Sequence, residues 1–338
     1  MSRRLAAIAF SLVFVACGEG QATGQGSSAA SQRVGPFGSL RDFVLVDRDD
    51  GLFVDRFEVT QGDWSQFAAS ADGRAVGAAA ISIVGRMSLP VGGMDLRQAR
   101  AFARWRCGRL PSEQEWQRTT EGGGRSPFPW GSKEDATRAN TGDLGLGERM
   151  PVGTFESGRK ACGDAPYDLI GNVREWTETV PSEWCQAPSP APSSFRRSVR
   201  RARKQPSLIA WCGRYGLLPA GVLVALGGEG VPRRCVGADF ETQMRFVRER
   251  QYDTQAAGER RLRTGLRVYT TARELLASLA ARPGEVSEDD RRRLLAFVQR
   301  RGHRAVLQAA YEASGLDRAV FAPSSACRVL LDEVRRLP

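Results

Sequence analysis

The sequence predicts a loop-rich α+β domain with a small helical appendix at its C-terminal end, and three observations carry that prediction. Short runs that alternate apolar and polar residues open the body and read as half-buried strands. Three amphipathic stretches with recognisable N-caps lie between Thr60 and Gly123 and read as helices. The 37 glycines and 17 prolines among 338 residues break the rest into turns, so only moderate regular structure is expected. Apolar residues make up 41% of the chain, enough for a sizeable core.

The first strand is Phe43–Val46 and the second Phe53–Phe57, joined by the turn "DRDDG". Thr60 then caps a helix that places Trp64 and Phe67 on one face. In "MDLRQARAFARWRCG", Asp95 is the cap and Leu96, Ala99, Phe102, Ala103 and Trp105 form the apolar stripe, with Gly108 as the stop. In "RLPSEQEWQRTTEGG", Ser112 and Glu115 form a capping box and Trp116 faces inward. "SPFPWG" and "RANTGDLG" are turns without a regular period. "RLRTGLRVY" alternates as a closing strand, and helical periods separated by Gly and Pro run from Thr270 to the end. Four segments follow: 1–17, 18–36, 37–269 as the main domain, and 270–338 as the helical appendix.

Residues 1–17, "MSRRLAAIAFSLVFVAC", carry Arg3 and Arg4 before an apolar run from Leu5 to Ala16. The run is short for a membrane span and reads as a secretion signal. Its closing "FVAC" resembles a bacterial lipobox, which makes Cys17 the expected site of lipidation. Residues 18–36 are small and polar and read as a flexible tether. The expected location is the bacterial cell envelope, lipid-anchored. Gly18, where an inner-membrane retention signal has Asp, points to the outer membrane.

The formal charge of +11 is concentrated in Arg-rich stretches such as "RRSVRRARK". No aromatic interleaving, zinc spacing or recognition helix accompanies them, so a specific nucleic-acid reader is not expected. Beyond Cys17 the cysteines are Cys107, Cys162, Cys185, Cys212, Cys235 and Cys327, without C-x-x-C spacing. Export permits disulfides, with Cys162–Cys235 and Cys185–Cys212 as candidate pairs among the open alternatives. The single histidine, His303, reads as a partly exposed helical residue and excludes a His-based catalytic triad in the main domain. Glu113 and Glu115 diverge on their helix and do not make an acid and base pair. Arg109 reads as a structural partner of the loop after Trp116.

"LFVDRFEVTQGDWSQF" (52–67), "GRLPSEQEW" (108–116), "FPWG" (128–131), "PVGTF" (151–155) and "YDLIGNVREW" (167–176), in this order, resemble the sulfatase-modifying factor family. The resemblance covers about residues 37–269. It implies the formylglycine-generating enzyme fold, a variant of the C-type lectin fold. Active oxidases of that family use closely spaced cysteines that bind copper, a soft metal suited to thiolates. The stretch "FETQMRFVRERQYDTQ" (240–255) has no cysteine, and Cys235 stands alone before it. No catalytic residue is therefore assigned, and the chain is expected to be a non-catalytic, lipid-anchored binding or accessory protein with an envelope protein or glycan as partner. The alternative is a copper-dependent formylglycine-generating oxidase acting on a sulfatase cysteine, through rearranged cysteines such as Cys212 and Cys235.

The expected cofactor of the scaffold is structural calcium, which takes carboxylate, amide and carbonyl oxygens gathered in a turn. Asn172, Val173 and Glu175 of "GNVRE" are the first candidate ligands. The resemblance implies a second set, Asn140, Thr141 and Asp143. Trp176 reads as a core anchor, and Arg174 stands where the family commonly has an aromatic residue.

Overall fold

The computed structural model describes residues 42–83, 85–121, 126–160, 164–181, 231–250, 252–282 and 284–335. The expected signal, tether and lipidation site at Cys17 lie outside the described residues, as do Cys162, Cys185 and Cys212. Strands β1 (Phe43–Asp47) and β2 (Leu52–Asp55) pair antiparallel across the predicted acidic turn. There Asp47 Oδ1 accepts from the amides of Asp49 and Asp50. Gly51 adopts φ +61° before the chain re-enters β2.

Helix α1 (Gln61–Ala69) begins with a reciprocal box between Thr60 and Asp63 and is followed by the short α2 (Ala71–Ala75). Helix α3 (Leu96–Trp105) has the same box between Asp95 and Gln98. Its left-handed stop falls at Cys107 (φ 61°), one residue before the predicted glycine. Gly108 is required for another reason: a Cβ there would stand 2.5 Å from the Tyr269 carbonyl oxygen. Helix α4 (Glu113–Glu121) carries the Ser112–Glu115 box, in which Ser112 Oγ accepts from the Glu115 amide and Glu115 Oε2 from the Ser112 amide.

Beyond it come β3 (Arg174–Trp176), β4 (Arg233–Val236), α5 (Met244–Arg248) and β5 (Asp253–Gln255). The predicted closing strand resolves into two, β6 (Thr264–Gly265) and β7 (Tyr269–Thr271), which belong to different sheets. One sheet has the order β1-β2-β7 and the other β5-β4-β3-β6. Arg267, between β6 and β7, therefore sits where the two sheets meet in sequence. Four α-helices follow among the described residues: α6 (Ala272–Ala280), α7 (Glu288–Val298), α8 (His303–Ser314) and α9 (Ala326–Val334). The arrangement is a mixed α+β fold, as the sequence predicts.

The main core is an apolar cluster in which Trp64, Phe67, Phe102 and Trp105 touch edge to face, tilted or stacked, with centroids 5.3 to 5.7 Å apart. Phe53 of β2, Phe297 of α7 and Leu307 of α8 belong to the same cluster, so the C-terminal helices share the interior of the first sheet. His303 departs from the sequence expectation. It is 2% exposed and lies 4.9 Å from the Phe53 ring and 4.7 Å from Phe297, where burial above all, then Arg300, lowers its pKa to about 4. A smaller cluster joins Trp116, Phe128, Ile170, Val236, Met244 and Val247 beneath the second sheet. Among the described residues no helix is long and apolar enough to cross a membrane.

Candidate functional site

The turn "GNVREW" is built on a left-handed pair, Gly171 at φ +86° and Asn172 at φ +62°. Glycine is needed at the first, since a Cβ would lie 2.4 Å from the Asn140 carbonyl oxygen; asparagine tolerates the second. The Asn172 amide then donates to Asn140 O at 2.7 Å. Every valence of its side chain is used. Oδ1 accepts from Asn140 Nδ2 (3.2 Å) and the Met150 amide (2.8 Å), while Nδ2 donates to Glu58 Oε2 (2.7 Å) and Met150 O (3.1 Å). The Val173 amide donates to Glu58 Oε1 at 3.0 Å.

Glu58, from "RFEVT", thus reaches across 114 positions to hold the turn. Beside it, Arg267 donates from Nε to Glu175 Oε1 (2.8 Å), from Nη1 to Asp55 O (3.1 Å) and from Nη2 to Tyr167 O (2.8 Å) and Asp168 O (3.2 Å). Glu58, Glu175 and Arg267 are each no more than 1% exposed, and Asp168 is 7% exposed. Three carboxyls therefore share one deeply buried guanidinium. Burial first, then the Asp168 charge, pushes Glu58 well above the usual carboxylate range. Burial likewise raises Asp168, to about 6, and Glu175. For Arg267, burial opposes the charge, and the pull of Glu175 outweighs it, so the guanidinium stays charged. Trp176 anchors the end of the turn, fully buried, with Nε1 donating to Met94 O at 3.3 Å.

These contacts engage two of the oxygens expected to take calcium at Asn172, Val173 and Glu175. The side-chain oxygen of Asn172 accepts two hydrogen bonds, and Glu175 takes Arg267 on Oε1 while its Oε2 has no hydrogen-bond partner. Of the second set, Asn140 and Thr141 are buried, with Oδ1 and Oγ1 lacking hydrogen-bond partners, whereas Asp143 is exposed and takes the Met244 amide at 2.6 Å. Among the described residues no group of three or more His, Cys, Asp and Glu could hold a metal ion.

On the face of the second sheet, Arg174 extends from β3 to Asp253 Oδ2 (2.6 Å) and Thr242 Oγ1 (2.8 Å) and approaches Asp239 Oδ2 at 3.5 Å. Arg261 Nη1 meets the same Asp253 oxygen at 2.6 Å. The substitution of a cation for the family's aromatic residue is thus matched by acids on neighbouring segments. Cys235, opposite both Trp176 and Asp253 in register, is 1% exposed, with Sγ 3.9 Å from Gln255 Oε1. Burial, reinforced by the Asp253 charge, pushes its thiol far up. With no cation bound to it, the thiol is held in its protonated form.

Cys107 and Cys327 are also buried free thiols, on α3's terminal turn and on α9. The expected Cys162–Cys235 disulfide is corrected accordingly, since Cys235 is free. The described residues also do not fit a two-thiolate copper centre: their cysteines stand on separate elements and belong to no candidate metal group. Arg109 differs from expectation as well, forking onto Glu115 (2.8 and 2.6 Å) and reaching Glu274 at 2.7 Å, which ties α4 to α6. Glu58, Asp168 and Arg267 escaped the sequence reading. Each lay inside a quoted motif, but nothing in the spacing announces that they meet.

Three comparisons bear on function. The chain is 36% identical over 100 residues to "Hercynine oxygenase" of Mycobacterium tuberculosis, covering 28% of this chain and 23% of that protein. It is 32% identical over 158 residues to "Formylglycine-generating enzyme" of the same organism, covering 39% and 52%. It is also 35% identical over 101 residues to "Inactive C-alpha-formylglycine-generating enzyme 2" of Bos taurus, covering 27% and 33%. The matches span about half or less of these relatives. The expectation of a non-catalytic accessory protein is corrected by the first two relatives, both of which are named as enzymes. A family described as "Sulfatase-modifying factor enzyme 1-like domain" matches residues 13–272. The chain, with its locked "GNVREW" turn, belongs to that family.

Proposed function

We propose that the chain is an enzyme of the formylglycine-generating type, converting a cysteine of a sulfatase-like polypeptide to an aldehyde. The similarity to formylglycine-generating enzyme over 158 residues carries this reading. The geometry supports it by supplying a rigid frame. Glu58, Asn172 and Arg267 fix the turn from below with bonds of 2.7 to 3.2 Å, so that Arg174 on β3 and its acidic neighbours are held in place for a bound peptide. Arg174 and Arg261, shared by Asp253, would orient a substrate's backbone or acidic groups. Because the described thiols do not fit copper, no step is assigned to that metal, and its requirement is an arm of the test.

The finer fold reading, a variant of the C-type lectin fold covering residues 37–269 with a helical appendix from 270 to 338, belongs to the same proposal. So does placement at the bacterial envelope through lipidated Cys17, with an envelope protein or glycan as neighbour. The experiment is incubation of the purified chain, with and without added copper, with a sulfatase-type cysteine peptide under air and reductant. Appearance of the aldehyde peptide supports the reading; an unchanged peptide in both arms refutes it. Intact-mass analysis of the exported protein tests the anchor: unmodified Cys17 would remove it.

A further inference from the structure

A cleft of about 280 Å³ lies away from the buried turn, and its wall includes Trp130, Arg138, Glu156, Ser157, Arg159 and Lys160. Trp130 stacks on the fully buried Phe128, with centroids 5.0 Å apart and planes 5° from parallel, and its Nε1 donates to Lys133 O at 3.0 Å. The indole is thus fixed on one face and satisfied at its polar edge. What it gives the cleft is an immobile apolar surface.

The charged groups of the wall already have partners. Arg138 donates from Nε to Asp135 Oδ2 at 3.0 Å and from Nη1 to Ser157 O at 3.2 Å. Arg159 donates from Nε to Glu156 Oε1 at 2.7 Å and lies over the Tyr167 ring at 4.9 Å, while Tyr167 Oη donates to Glu156 Oε2. Lys160 is engaged as well. A ligand ion would have to break one of these contacts to be paired. Hydrogen-bonding capacity remains all the same: Arg138 Nη2 and Ser157 Oγ carry no hydrogen bond among the described residues, and Glu156 Oε2, with its one bond, can accept another.

We propose that this cleft binds a neutral pyranose ring, stacked by a C–H face on Trp130, with hydroxyls that accept from Arg138 Nη2, donate to Glu156 Oε2 and bond Ser157 Oγ. A hydroxyl both donates and accepts, so it serves this mixed set, whereas a carboxylate only accepts and an ammonium only donates. A ring whose hydroxyls are all equatorial leaves its axial C–H bonds to the indole. The volume is near the lower end of small-molecule sites, roughly 300 Å³, and suits one ring. The site stands apart from the oxidase reading, involves none of its residues and does not depend on the lipid anchor.

Titration of the full chain with methyl β-glucopyranoside, read by saturation-transfer NMR of the sugar's protons, tests it. Saturable binding is expected with a dissociation constant on the order of 1 mM, as one small ring allows, and the ring C–H protons should receive the most saturation. Because no ion pair forms, raising the salt to about 0.5 M should change the affinity by less than roughly twofold. Glycerol, which lacks the ring face, and glucuronate, which brings an unmatched charge, should each bind at least roughly tenfold more weakly. Trp130→Ala should weaken the glucoside by roughly tenfold and Ser157→Ala by roughly fivefold. Ser157 is exposed and its hydroxyl bonds nothing among the described residues, so that variant keeps the test decisive if Trp130→Ala fails to fold. No saturable binding of the glucoside, glucuronate binding as tightly as the glucoside, or undiminished binding by Ser157→Ala would overturn the proposal.

Discussion

Replacing Arg267 with methionine should nearly abolish the folded state, and the size of the loss follows from what the guanidinium touches. Its removal leaves Glu175 with neither oxygen paired, because Oε2 already lacks a hydrogen bond and Oε1 is bonded by Arg267. Breaking one side of a buried pair costs about 3–5 kcal/mol. The carbonyls of Asp55, Tyr167 and Asp168 each lose a charged donor at about 1 kcal/mol apiece. Set against a typical stability of about 5–15 kcal/mol, the sum brings the variant near or below the folding threshold. A second change, Glu175→Met, removes the stranded carboxyl, so the double variant should regain roughly 2 kcal/mol. Urea unfolding followed by tryptophan fluorescence measures both. A loss below about 1 kcal/mol for Arg267→Met, or simple additivity in the double variant, would refute the view that one guanidinium stabilises the buried carboxyls.

Further outcomes follow from the same contacts. Asp168, raised to about 6 by burial, releases its proton in the unfolded chain first, so between about pH 4 and 6 it makes stability fall as pH rises. His303, lowered to about 4 by burial, acts with the opposite sign, since the unfolded chain binds the extra proton between about pH 4 and 6.5. Asp168→Asn should therefore steepen the rise of melting temperature with pH in that window, and His303→Phe should turn it downward; unchanged slopes would contradict both assignments. Gly171→Ala combines a positive φ with a Cβ 2.4 Å from a carbonyl oxygen and should cost more than about 2 kcal/mol in urea unfolding. Peptide mapping after alkylation should find Cys107, Cys235 and Cys327 unmodified in the native protein and fully modified in denaturant; native labelling of Cys235 would contradict its burial.

Much of the local structure was legible because it is written in local chemistry. The caps at Thr60, Asp95 and Ser112 are spaced as helix starts require, and each forms the box that its spacing implies. The stop after α3 was misplaced by one residue because cysteine, which has no evident preference for φ > 0, takes that conformation before Gly108. The candidate site was less legible. Glu58 meets Asn172 across 114 positions and Arg267 meets Glu175 across 92, and no periodicity links residues so far apart. The same distance hides what "GNVRE" meets: Asn172 Oδ1 and Glu175 Oε1 take partners from elsewhere in the chain. His303 looked like a helical surface residue and is instead wedged between two rings, because the appended helices cover the first sheet.

The catalytic reading rests on one measurement above all, mass analysis of a sulfatase-type cysteine peptide after incubation with the purified full chain in air. Conversion of the cysteine to the aldehyde, lost when Arg174→Ala removes the cation held by Asp253, is the predicted result. A peptide that stays a thiol, with copper and without it, would contradict the assignment of this chain to the oxidative members of its family.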